Sequence, residues 1–185
     1  MDPRAAVTVP NNLVTVFHTL THDLGFALPW PKPANYVPEN ASAPILVWGG
    51  SSSVGQYAIQ VLTYWGYTNI IASASPKHHS LLQSLGATKT VDYRSASYQK
   101  EVLEAAGRDG VKFVVDCIGS LEGSMRPISR VVGAGAVVAV MLPVVVRDTT
   151  EVGGPEYEMD VRKGVEWKEG VVAKGVRTHF YMEVS

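Results

Sequence analysis

Hydrophobic residues along the chain change period several times, and each change marks an element. Asn11 or Asn12 can cap a helix through Leu13, Val16, Phe17 and Leu20, whose spacings of three and four put them on one face, with Gly25 as its stop. Residues 26–44 then carry Pro29, Pro31, Pro33, Pro38 and Pro44, whose fixed φ angles and missing N–H groups preclude a regular helix. We read residues 1–43 as a helix followed by an extended connector, and residues 44–185 as the main folding unit.

That unit alternates. Strands are predicted at 45–48, 70–72, 89–91, 112–115, 136–140 and 171–176, the last with a possible extension to Phe180. Helices are predicted through Ala58, Ile59, Val61 and Leu62, over 80–85 closed by Gly86, over 98–106, and over 125–132. Residues 147–170 are charged and contain glycine, and they read as a solvated surface loop. Short apolar runs rich in β-branched residues, interleaved with helices, imply parallel strands covered on both faces. The expected fold is therefore α/β, a doubly wound parallel sheet of Rossmann type in a three-layer α/β/α sandwich.

Composition narrows the function classes. With 185 residues, 46% of them hydrophobic, the chain is long enough to bury a full core without a staple. Sixteen basic residues against seventeen acidic ones, with no basic run, argue against nucleic acid as a partner. The single cysteine, Cys117, excludes an intrachain disulfide and a cysteine-based zinc cluster, and it reads as a small residue at a strand end rather than a nucleophile. No apolar run reaches the roughly 18 residues of a membrane span, and the first residues lack a signal-peptide core, so a cytoplasmic protein is expected.

Chemistry concentrates after the first strand. Gly50-x-Ser52-x-x-Gly55 lies between a strand and a helix, where a dinucleotide fingerprint must stand. Gly49 and Gly50 can make the tight turn, and Gly55 can permit close packing of helix on strand. The N–H groups of the helix start, at Ser53 and Val54, would face a pyrophosphate. Ser52 replaces the middle glycine, and the hydroxyls of Ser51, Ser52 and Ser53 could donate to phosphate in compensation. A plain Gly-Ser turn is the alternative.

Roughly twenty residues past the glycines an NAD site carries a carboxylate for the ribose hydroxyls. Residues 72–79 hold none. Ser75 and Lys77 offer a hydroxyl and an ammonium where the 2′-phosphate of NADP would lie, so NADPH is the expected cofactor. Ser75-Pro76 can also be a simple helix cap. His18 and His22 have the i, i+4 spacing of metal ligands but no evident third ligand, and no metal is expected. The pair His78-His79 reads as a solvent-facing helix start, with help in holding a 2′-phosphate as the alternative.

Taken in order, 47–60, 74–77, Leu85-Gly86-Ala87, Val91-Asp92-Tyr93 and 114–119 resemble the nucleotide-binding part of the medium-chain dehydrogenase/reductase superfamily. The resemblance is to its zinc-independent quinone-oxidoreductase-like branch, which includes the trans-acting enoyl reductases of fungal polyketide synthases. Residues 12–20 resemble the helix preceding that domain. The resemblance implies that Thr15 approaches the nicotinamide end and that 50–55 hold the pyrophosphate. It further implies that Lys77 and Tyr93, with Ser75 as a weaker match, hold the 2′-phosphate, and that Ile118, Gly119 and Met141 lie against the cofactor. Tyr93 reads equally as an aromatic packed at a strand end. The resemblance also implies a homodimer through the last strand, a small-molecule substrate, and a barrel-like catalytic domain that this sequence lacks. The expected function is the NADPH-binding domain of an oxidoreductase that transfers hydride to an activated C=C or C=O. A catalytically silent nucleotide-binding or interaction module and a methyltransferase are the alternatives.

Overall fold

The computed structural model describes residues 10–150 and 153–177. Helix α1 (Pro10–His18) runs into a π turn (Thr19–Asp23), and the proline-rich connector follows without regular helix. The main unit then alternates: β1 (Ile45–Trp48), α2 (Ser53–Trp65), β2 (Ile70–Ser73), a 3₁₀ turn (Pro76–His78) leading into α3 (His79–Ser84), and β3 (Lys89–Val91). The second half is α4 (Tyr98–Ala106), β4 (Val111–Asp116), a π turn (Leu121–Met125) continued by α5 (Arg126–Val131), and β5 (Val132–Met141). After β6 (Val144–Arg147) and β7 (Glu156–Glu158), the chain ends its described course in β8 (Val172–Val176).

Six parallel strands form one sheet in the order β3-β2-β1-β4-β5-β8. This is the doubly wound Rossmann order, in which the winding direction reverses between β1 and β4. Burial on both faces explains why the central strands are largely apolar. In β1, Ile45 and Val47 face a core shared with Ala58, Ile59 and Leu62 of α2, while Leu46 and Trp48 face a core shared with Val102 of α4 and Ile128 and Val131 of α5. All four residues of β1 are buried.

The amino-terminal helix is part of the first core rather than an appendage. Val16, Leu20, Leu24 and Phe26 are buried in it, Phe17 meets Trp65 edge-on at 5.5 Å, and Phe26 packs on Tyr67 and Phe113 at 4.7 Å each. Such aromatic pairs add about 0.5–1.5 kcal/mol beyond the area they bury.

Three expectations are corrected. Residues 147–170 are not wholly loop: β6 and β7 pair antiparallel in a two-stranded ribbon, with Val145 opposite Tyr157. Pro143 breaks the apolar run 137–146 and sends Val144 into a new strand, while Glu156-Tyr157-Glu158 is too exposed to carry a hydropathy signal. Strand β5 begins at Val132 rather than 136, because Val132 pairs with Val111 before the register shifts. Finally, the helix expected over 125–132 is a π turn followed by the short α5. The suggested extension of the last strand to Phe180 lies outside the described residues.

One charged group is built into the second layer. The Asp116 side chain, fully buried at the end of β4, accepts from the N–H groups of Ile118 and Gly119 at 3.0 and 3.2 Å, and Ser124 Oγ donates to it at 2.6 Å. These bonds hold residues 117–119 in a tight turn. Burial nevertheless pushes the carboxyl up to about 6 from 3.8, against those three hydrogen bonds. The folded protein thus binds this proton more tightly than the unfolded chain, so the contribution is greatest below pH 4 and is lost as the pH rises through 6. We expect urea unfolding to show Asp116→Asn, whose amide can keep the turn bonds, without this component, whereas the wild type gains about 1 kcal/mol relative to it between pH 7 and pH 5. Asp116→Ala strands the three donors and should cost about 2–4 kcal/mol at either pH.

Candidate nucleotide-binding site

Where the winding direction reverses, the carboxyl ends of β1, β2 and β4 cannot be bridged by one crossover, and a crevice opens. A cleft of about 370 Å³ lies there, walled by Trp48, Gly49 and Ser51 after β1, by Ser73 to Ser75 after β2, by Tyr93 after β3, and by Ile118, Ser120 and Gly123 after β4. Val145 and Asp148, at the end of the ribbon, close the remaining side.

The turn after β1 owes its shape to its glycines. Gly49 has φ +77°, and its N–H donates to Ser73 Oγ at 3.0 Å, while the Gly50 N–H donates to Ser73 O at 2.8 Å. A Cβ on Gly55 would lie 2.5 Å from the Gly49 carbonyl oxygen and 2.7 Å from the Gly50 Cα, so only glycine lets α2 start this close to the strand. Ser52 stands where the fingerprint has its middle glycine, and the structure shows why it fits: its φ of −68° needs no glycine. It is the N-cap of α2, with Oγ accepting from the Gly55 N–H at 3.1 Å. The N–H groups of Ser53 and Val54, at the head of the same helix, have no intrahelical carbonyl to meet. No acidic residue stands in the first turn of α2. An anion at this mouth meets N–H groups and the positive end of a thirteen-residue helix.

The other end of the cleft is built on β2 and β3. Ser75 precedes the 3₁₀ turn that carries Lys77, exposed on its surface. The sequence singled out Ser75, Lys77 and Tyr93 but missed Arg94. Its Nη2 donates to Ser75 Oγ at 2.9 Å, and its Nε and Nη2 reach the Tyr93 hydroxyl at 3.1 and 3.0 Å. The hydrogen bond from Arg94, then that of Ser75, holds the Tyr93 phenol below its ordinary range. The Asp92 carboxylate turns back to accept the Arg94 backbone N–H at 3.0 Å. A signal was present, since Arg94 directly follows the Val91-Asp92-Tyr93 motif. What was not legible is that the turn folds the guanidinium back over its own neighbour.

Of the residues expected at the site, Ser51, Ser75, Tyr93 and Ile118 line the cleft together. Gly50 is packed beneath it against Ala72 and Leu82, and Gly119, at φ +60°, lies under the Met141 carbonyl. Thr15 is buried on α1 with its hydroxyl donating to Asn11 O at 2.9 Å, and neither it nor Met141 forms part of the cleft wall. Trp48, Ser120, Gly123 and Asp148 are wall residues that the sequence did not single out. His78 and His79 are half-buried rather than solvent-facing, and a ring nitrogen of His79 bonds Ala74 O at 3.0 Å. Cys117 is half-buried, and burial, with the neighbouring Asp116 carboxylate, pushes its thiol up, which leaves it a poor nucleophile. No described helix is long and apolar enough to cross a membrane.

Comparison with known proteins agrees with this geometry. Residues 53–143 match the family model described as zinc-binding dehydrogenase. A trans-enoyl reductase of Aspergillus terreus is 37% identical over 98 residues, covering 52% of this chain and 31% of that protein. A dual trans-enoyl reductase/FAD-dependent monooxygenase of the same fungus is 31% identical over 144 residues, covering 77% of this chain and 20% of the relative. Among solved structures, the CurK enoyl reductase superposes with a TM-score of 0.68 at 19% identity over 97% of this chain and 46% of that one. A mutant enoyl thioester reductase from Candida tropicalis gives a TM-score of 0.66 at 16% identity over 100% and 47%. The chain thus spans less than half of these relatives, and the methyltransferase alternative finds no support among them. A dehydrogenase/reductase nucleotide-binding domain implies a nicotinamide cofactor. From the strand order, the glycine turn and these matches, the chain belongs to the medium-chain dehydrogenase/reductase superfamily, to its enoyl- and quinone-reductase-like group, and presents that family's nucleotide-binding domain.

Proposed function

We propose that this chain forms the NADPH wall of a reductase that acts on an activated C=C or C=O of a small molecule. One observation carries the choice of NADPH: the end of β2 has no carboxylate, and Arg94 sits between Ser75 and Tyr93 with Lys77 on the adjoining turn. A 2′-phosphate brought there meets two cations and two hydroxyls, which suits a dianion and offers nothing that selects a bare ribose. The N–H groups of Ser53 and Val54, with Ser51, would take the pyrophosphate, and the rigid turn held by Asp116 would place Ile118 and Gly119 along the cofactor. When bound, the reduced nicotinamide supplies the hydride, and the protein supplies position and electrostatics. Family resemblance assigns Thr15 toward the nicotinamide end and Met141 to the cofactor crevice after the fifth strand.

The substrate class rests on the enoyl reductases among the relatives. Substrate contacts and a proton donor are assigned to the part of the family's architecture that this chain does not span. Homodimerisation through β8 is the further expectation, since β8 ends the sheet order among the described residues and such a strand edge invites a second copy.

Calorimetric titration of the full chain should show NADPH binding more tightly than NADH. Arg94→Ala and Lys77→Ala should each weaken NADPH by about 10–100-fold, the worth of a charge-assisted hydrogen bond, and leave NADH unchanged. Equal affinity for the two cofactors in the wild type would overturn the assignment. For the dimer, sedimentation equilibrium at tens of micromolar should give twice the chain mass of 19.9 kDa; a monomer under those conditions would refute pairing through β8.

A further inference from the structure

The turn that ends α1 gathers three metal-capable side chains. By sequence, His18 and His22 lack a third ligand, because a helix of 3.6 residues per turn brings the residues three and four places on, Thr21 and His22, alongside His18 and leaves the fifth, Asp23, to one side. The chain leaves α1 through a π turn instead, closed by the Leu24 N–H donating to Thr19 O at 2.9 Å. In this wider turn the fourth and fifth residues both come beside the first. The rings of His18 and His22 stack with centroids 4.7 Å apart and planes 18° from parallel. Asp23 faces both, with Oδ1 3.1 Å from His22 Nδ1 and Oδ2 3.9 Å from His18 Nε2. One ligand atom from each residue lies within 4.8 Å of the others.

A second observation, independent of this clustering, concerns the carboxylate. The Asp23 side chain is 6% exposed, and its Oδ2 is buried without a hydrogen-bond partner among the described residues. Buried charges in proteins are paired or ligate metals, and an unpartnered buried oxygen calls for a missing ligand. Lys174 does not fill the gap: its Nζ donates at 2.7 Å to the Asp23 backbone oxygen, which ties the turn to β8.

We propose that His18, His22 and Asp23 bind one divalent transition-metal ion of the zinc type. Two imidazoles and a carboxylate suit such borderline ions, whereas calcium and magnesium prefer an all-oxygen shell. Zinc bonds of about 2.0–2.2 Å set neighbouring ligand atoms roughly 3.3–3.5 Å apart, so the site closes by a modest inward swing of His18. The His22 side chain is 70% exposed, which leaves the fourth position open to water. The ion neutralises Asp23 and locks the end of α1 against the edge strand that Lys174 already holds. All three ligands lie outside the matched segment 53–143, and the inference stands apart from the nucleotide reading.

The test is calorimetric titration of zinc chloride into the tag-free, chelator-stripped full chain, with cobalt(II) visible absorption as a second readout of ligation. We expect one ion per chain with a dissociation constant in the micromolar range or tighter, and a higher thermal midpoint in its presence. His18→Gln, His22→Gln and Asp23→Asn should each weaken zinc at least tenfold, and the double variant His78→Gln/His79→Gln should bind as the wild type does. His22→Gln is the deciding variant, since so exposed a side chain can be replaced without loss of the fold, which circular dichroism checks; a misfolded Asp23→Asn leaves it to decide with His18→Gln. Absence of saturable one-to-one binding, affinity unchanged in His22→Gln, or loss of binding in the His78/His79 variant would overturn the proposal.

Discussion

The distance at which α2 starts from the end of β1 sets the geometry of everything at the cleft. With Gly55 against the Gly49 carbonyl and the Gly50 Cα, a single added methyl would force the helix off the strand. Because the Gly49 and Gly50 N–H groups are tied to Ser73, moving the helix would also disturb the end of β2. The helix start and Ser75, the proposed phosphate and ribose ends of the cleft, are therefore placed by one rigid junction. Such rigidity is what a binding constellation needs, since a ligand bridging both ends gains nothing from contacts that cannot form together.

Opposite that junction, the turn after β4 achieves the same rigidity by other means. Strand β1 lies between β2 and β4, so the two walls of the cleft hang from neighbouring strands of one buried sheet. On the β4 side, a buried carboxylate adds to the glycine contact of Gly119 in fixing the chain, with Asp116 satisfied by two N–H groups and a serine hydroxyl. The ribbon of β6 and β7 reaches the same turn, where the Val145 N–H donates to Gly119 O at 2.7 Å. A strand pair that looks peripheral by hydropathy thereby closes the side of the cleft that carries Asp148.

Legibility in the sequence followed burial. Strands β1, β2 and β4 are covered on both faces, so their short, largely apolar runs could be read directly, and with them the doubly wound fold. The glycine turn was legible because steric demand leaves a residue-specific mark. Ser52 looked like a defect in the fingerprint only while it was judged by type; its backbone angles make it an ordinary helix cap. The ribbon and Arg94 were not legible. Glu156 and Tyr157 are exposed and alternate no apolar face, and the role of Arg94 depends on how a surface turn bends, which no periodicity encodes. Ile118 and Gly119 could be placed beside the site, but the buried anion that orders them could not be distinguished from any acid at a strand end.

The two π turns show most plainly where a linear pattern fails. Each adds a residue to a turn and so brings together side chains that a 3.6-residue period would separate. In the turn over Leu121–Met125, Ser124 is swung under Asp116 and both oxygens of that buried carboxylate find donors. In the turn over Thr19–Asp23, Asp23 is swung beside two imidazoles and one oxygen finds none among the described residues. The same backbone device thus buries two carboxylates at similar depth, yet it completes the hydrogen bonding of only one. Buried polar groups are expensive to leave unpaired, and the donors around Asp116 show that this fold supplies them where the carboxylate serves packing alone. The different company of Asp23, two nitrogen ligands instead of hydroxyl and N–H donors, is what separates a structural carboxylate from a coordinating one.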